Sequence, residues 1–63
     1  MKKVKQVKGW GIFQNNNKEI KEHGFSFTVL HPDNMDYSYI CSPRDSDIEC
    51  NSMDEAISWI KNY

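Results

Sequence analysis

No apolar run in this chain approaches the roughly 20 residues that a membrane span requires. Its lysine-rich start runs into Gln6, Gly9 and Trp10, so the apolar stretch of a secretory signal is missing too. Both absences point to a cytoplasmic protein with no membrane association. In that compartment Cys41 and Cys50 are expected as free thiols rather than as a bridge. Closely paired zinc ligands are lacking, because Cys41, Cys50, His23 and His31 are the only thiols and imidazoles. The segment "DSDIE" alternates carboxylates without the glycine and twelve-residue ligand pattern of a calcium loop. After "GWG" there is neither a helix start nor a lysine–serine pair, which excludes a phosphate loop. Nothing here assembles a nucleophile, a base and an orienting group at a recognisable spacing. The expectation is therefore no enzyme, no cofactor and no metal.

Acids are absent from residues 1–8, which hold Lys2, Lys3, Lys5 and Lys8. Residues 31–63 reverse the balance, with Asp33, Asp36, Asp45, Asp47, Glu49, Asp54 and Glu55 against Arg44 and Lys61. The formal net charge of −1 excludes a strongly basic nucleic-acid binder, but the chain is a charge dipole. A lysine-rich first strand is a common guard on an exposed sheet edge. If residues 45–49 are extended, Asp45, Asp47 and Glu49 share one face. Such a stripe is either a solvated edge or a docking surface for a basic partner.

What is present is enough for one small domain spanning residues 1–63. A chain of this length buries only roughly 60% of its unfolded surface, so one sheet covered by one helix is the natural size. Hydrophobic residues make up 38% and aromatic residues 13%, and the large rings must supply the core. Strand patterns fall at about residues 4–14, 24–31, 37–42 and 47–51. Phe25, Phe27 and Val29 alternate with Ser26 and Thr28, as in a half-buried strand. Within "YSYICS", Tyr37, Tyr39 and Cys41 oppose Ser38, Ile40 and Ser42, and the pattern leaves the inward face open. Asn15-Asn16-Asn17 and Pro32-Asp33-Asn34 read as turns. Residues 18–24 fit either one helical turn or an extended lead into the next strand. His23 and His31, eight positions apart on one continuous strand, would be too distant to act together.

The clearest local signal is "SMDEAISWIKNY". Ser52 with Glu55 three residues on forms a capping box, and Asp54 and Glu55 sit where the helix dipole favours acids. Met53, Ala56, Ile57 and Ile60 make one apolar stripe, bordered by Trp59 and Tyr63, which predicts an amphipathic helix over about 53–62. The fold class is α+β: a small antiparallel sheet of three or four strands packed against one C-terminal helix. Gly9 and Gly11 within a strand imply either a bend that lets the helix cross, with Trp59 leading the contact, or a close backbone approach.

Two functions survive these exclusions. One is a small protein-binding module, monomer or homodimer, that occupies a protein partner as accessory or inhibitory products of phages and mobile elements do. Its candidate contacts are Trp10, Lys5, Lys8, Asp45, Asp47 and Glu49. Trp10 is either a core ring or an interface anchor left uncovered by its two flanking glycines. The other is nucleic-acid binding. Over residues 8–62 the order of three strands and a helix resembles that of AP2-type DNA-binding domains, including the arm-binding domains of phage integrases. That resemblance implies contacts through the sheet. Since "FSFTVLHP" and "YSYICS" contain no lysine or arginine, the phosphate contacts would fall to the lysines of the first strand.

Overall fold

The computed structural model of the protein describes residues 1–34 and 42–63. It contains strands β1 (Lys2–Val7), β2 (Trp10–Gln14), β3 (Phe27–Leu30) and β4 (Ile48–Cys50). Helix α1 (Asn17–His23) lies between β2 and β3, and helix α2 (Met53–Lys61) closes the chain. The four strands form one antiparallel sheet in the order β1-β2-β3-β4, and α2 packs on it, which makes this a small α+β domain. Among the described residues no helix is long and apolar enough to cross a membrane.

The expected single strand over residues 4–14 is instead a hairpin. Val7 faces Trp10 across a two-residue loop. Lys8 has φ 52° and Gly9 φ 85°. Positive φ at both central residues is what a type I′ turn requires, and that turn's twist matches the strands it joins. Gly9 also answers why glycine stands here. A Cβ on it would come within 3.2 Å of Pro32 Cγ, so the hairpin tip rests directly on the turn that follows β3.

The three asparagines do more than make a turn. Asn15 is buried, Asn16 caps α1, and Asn17 begins the helix. Asn16 Oδ1 accepts from the Glu19 N–H at 2.8 Å, and Glu19 Oε1 accepts from the Asn16 N–H at 2.8 Å. This reciprocal box makes most of residues 18–24 helical, within α1. Gly24, at φ 86°, ends it in the left-handed conformation that favours glycine. Glu19 also ties α1 to the start of β1, through an ion pair with the Met1 ammonium at 2.8 Å. The hydrogen bond to that ammonium is the main reason the Glu19 carboxyl is held below its ordinary value.

Register explains how the sheet is covered. Lys5, Ile12, Val29 and Ile48 form one row across all four strands, and Gln14, Phe27 and Cys50 form another on the same face. Ala56 and Ile60 of α2 close over Trp10, Ile12, Val29 and Cys50, with Val7, Phe27, Ile48, Met53 and Ile57 around them. The opposite face carries Phe13, Thr28 and Leu30, all buried, so β3 is covered on both sides rather than half-buried as its alternation suggested. Thr28 is tolerated there because its hydroxyl donates to Asn15 Oδ1 at 2.8 Å. Phe25 precedes β3 and lies outside the cluster under α2.

Other boundaries shift for local reasons. Pro32–Asn34 and Pro43–Asp45 are short 3-10 turns, and the Asn34 N–H donates to the His31 carbonyl oxygen at 2.8 Å. The expected strand at 37–42 falls outside the described residues apart from Ser42, which caps the second turn. His23 ends α1 and His31 follows β3, so they do not share a strand. In α2, Ser52 accepts from the Glu55 N–H at 3.1 Å as expected, but Glu55 reaches back to the Asn51 N–H at 2.7 Å rather than to Ser52. Trp59 does not lead the packing: it is 53% exposed. At 100° per residue it stands about 110° from the centre of the apolar stripe, too far round to reach the sheet.

These contacts rank the helix positions. Ile60 is buried and Ile57 only partly so. Ile60→Ala should therefore cost about 2–5 kcal/mol in urea unfolding, and Ile57→Ala distinctly less. Equal losses would mean that the helix is rotated from this packing. Gly9→Ala should cost about 1–2 kcal/mol through its left-handed backbone, with the Pro32 contact adding to it. A midpoint unchanged from the parent would contradict the turn.

Candidate binding surfaces at the sheet edge and the Trp10 cleft

The six sequence-derived contact residues separate into three places. Lys5 lies on β1, where Lys2, Lys3, Val4, Lys5 and Gln6 are all exposed. Among the described residues this strand ends the sheet and pairs with β2 alone. The register slips between Lys3 and Lys5, placing a bulge near Val4 that twists the edge locally. Lys8 extends the same positive charge to the hairpin tip. It does so from a conformation that asparagine or glycine adopts with less strain.

The acidic residues do not form the expected stripe. Asp45 belongs to a 3-10 turn, Asp47 precedes β4, and only Glu49 sits within the strand, level with Thr28. The stripe needed five consecutive extended residues, and the Pro43 turn occupies the first of them. Asp47 instead has a structural task. Its Oδ2 accepts from the His31 N–H at 2.8 Å, and both oxygens accept from Asn34 Nδ2 at 3.0 Å. Its own N–H donates to the Val29 carbonyl oxygen at 2.9 Å. Asp47 thus clamps the turn after β3 to the entry of β4.

Trp10 and Asp47, distant in sequence, are brought to one cleft. With His31, Asn34, Ile48 and Tyr63 they line a cavity of about 300 Å³. Three rings meet there edge to face: Trp10–His31 at 4.8 Å, Trp10–Tyr63 at 4.9 Å and His31–Tyr63 at 5.9 Å between centroids. Such T-shaped contacts align ring edges with ring faces of opposite partial charge. Trp10 is only 6% exposed, so its ring is covered rather than left open by the flanking glycines. Its neighbour Tyr63 is 81% exposed.

Trp59 is the surface ring that the sequence pattern did not single out as a contact. It borders a shallow depression with Glu55, Ser58 and Asn62 on the outer side of α2. The angular offset from the apolar stripe was the available signal. Among the described residues no group of three or more histidine, cysteine, aspartate or glutamate side chains could hold a metal ion. Comparison with known proteins matches no family model, no curated protein and no solved structure. Among the described residues the element order β-β-α-β-β-α also differs from the three strands and helix of the DNA-binding domains considered above.

Cys50 is buried under α2 and free. Burial first, and then the nearby Glu55 carboxylate, push its thiol up to about 11. At pH 8 about one molecule in a thousand would carry the reactive thiolate. In a Cys41→Ser protein, iodoacetamide should therefore label Cys50 at least about a hundredfold more slowly in buffer than in urea. Comparable rates followed by mass spectrometry would show that α2 does not shield it.

Proposed function

We propose that this protein is a non-catalytic protein-binding module that takes an extended, acidic segment of its partner along the free edge of β1. The observation that carries this reading is a six-residue strand whose first five residues are exposed and which, among the described residues, pairs with β2 alone. Its outward backbone groups are a template for one more strand, and such main-chain pairing supplies affinity in many peptide-recognition domains. Sign specificity comes from Lys2, Lys3, Lys5 and Lys8, with no acid among residues 1–8. The strained placement of Lys8 supports the same view, because a hairpin tip selected for stability alone would favour asparagine or glycine. Trp10 contributes from beneath, as the packed ring that holds the hairpin, rather than as the anchor. An accessory or inhibitory role follows naturally, since occupying a partner's strand requires no chemistry.

The lysines serve the alternative reading too, as phosphate contacts of a nucleic-acid binder. Register disfavours it, because the rows beyond β1 place no lysine or arginine on either sheet face. One experiment separates them. Titration with a β-prone decapeptide alternating glutamate and valine should protect β1 amides from hydrogen exchange. Substituting Lys2, Lys3 and Lys5 by glutamate should remove the effect. A duplex oligonucleotide should leave those amides unprotected at about 50 mM salt. Protection by the duplex and none by the peptide would reverse the assignment.

A further inference from the structure

The cleft beside Trp10 has a chemistry that neither the strand edge nor the core requires. We propose that it receives a guanidinium group, either the arginine side chain of a bound protein or a free guanidino compound. Two features make the case. The Asp47 carboxylate is held in place by the His31 N–H and by Asn34 Nδ2, so its direction is set before any ligand arrives. All of those donors are neutral. No lysine, arginine or histidine lies within ion-pair distance of it among the described residues, so an incoming guanidinium would meet a carboxylate that no cation already neutralises.

The second feature is the aromatic wall. Trp10, His31 and Tyr63 meet at 4.8–5.9 Å between centroids, and together with Ile48 they line the same cavity of about 300 Å³ as Asp47. Aromatic faces attract cations, and a weakly hydrated planar cation gains most from them. A guanidinium can stack on a ring while donating in its plane to a carboxylate, whereas an ammonium is a compact, strongly hydrated charge. Ring and carboxylate side by side therefore favour arginine over lysine. Asn34 orients the acid, and Tyr63, the most exposed of the three rings, offers the open face.

The test needs neither a known partner nor an activity. Nitrogen-labelled protein is titrated with N-acetyl-arginine methylamide, its neutral isostere N-acetyl-citrulline methylamide, and the corresponding lysine derivative. Saturable shifts are expected at the Trp10 indole N–H and the Asn34 side-chain amide with the arginine compound, with a dissociation constant of order 1 mM. The citrulline compound should leave them unmoved, and lysine should bind at least about fivefold more weakly. Asp47→Asn should weaken arginine binding at least about tenfold. Tyr63→Ala, at a position 81% exposed, should weaken it about threefold. Equal responses to arginine and citrulline, or to arginine and lysine, would overturn the proposal, as would binding unchanged in both variants. A Gly-Gly-Arg-Gly-Gly peptide binding more tightly than the single residue assigns the site to a partner's side chain, and equal affinity assigns it to a free guanidino compound. Because the probes carry no acidic strand, failure here leaves the β1 edge reading intact.

Discussion

Asn15 is the residue on which the arrangement of this sheet depends. It stands where the chain leaves β2 for α1, and it reaches across to where the chain returns for β3. Its N–H donates to the Ser26 carbonyl oxygen at 2.9 Å, and Nδ2 donates to the Phe25 carbonyl oxygen at 3.0 Å. Its Oδ1 accepts the Thr28 hydroxyl at 2.8 Å, and both side chains are buried. Among the described residues no buried side-chain polar atom lacks a partner, so this network is fully satisfied. A network in that condition rigidifies its surroundings, whereas each buried group left unpaired would cost about 1–3 kcal/mol. The polar bonds of Asn15 thereby set the β2–β3 register that puts Trp10, Ile12 and Val29 under α2. Hydrophobic burial supplies the driving force, and Asn15 selects which burial occurs.

The two ends of the sheet are handled differently. β4 has only three residues and packs against α2, with Cys50 beneath the helix. β1 is twice as long, and Lys2 to Gln6 are all exposed, with only Val7 reaching the core. An edge so exposed would invite indiscriminate pairing if it were flat and apolar. Lysines and a bulge near Val4 discourage neutral or basic strands, and the same lysines leave acidic ones a favourable match. In the binding mode proposed above, the charges that prevent aggregation would be the same ones that select a partner.

The legibility of this fold in the sequence follows the range of the interactions. The capping signals of α2 are local, lying within four residues, and its boundaries were readable to within a residue. The box of Asn16 and Glu19 is equally local, but the asparagine run read more simply as a turn and hid it. Lys8-Gly9 escaped because lysine rarely takes positive φ, so the turn carried no asparagine or aspartate before its glycine. Thr28 looked outward because alternation assumes one wet face, and only the long-range bond from Asn15 makes its burial tolerable. The cleft was half legible: Trp10 and Asp47 stood out individually for their chemistry. Their meeting depends on the β2–β3 and β3–β4 registers together, which no local pattern encodes.

One contact joins the two candidate surfaces. Gly9, at the tip of the lysine-bearing hairpin, rests on Pro32, and the residues flanking that proline are His31 and Asp33. His31 Nδ1 accepts from the Asp33 N–H at 3.0 Å, while its own N–H donates to Asp47. Trp10 completes the circuit, following Gly9 in the chain and meeting His31 ring to edge. The hairpin that carries the lysines thus also positions Trp10 against His31 and rests on Pro32. In a domain of 63 residues no separate scaffold lies between one surface and another. The edge and the cleft therefore share the hairpin as a common structural element.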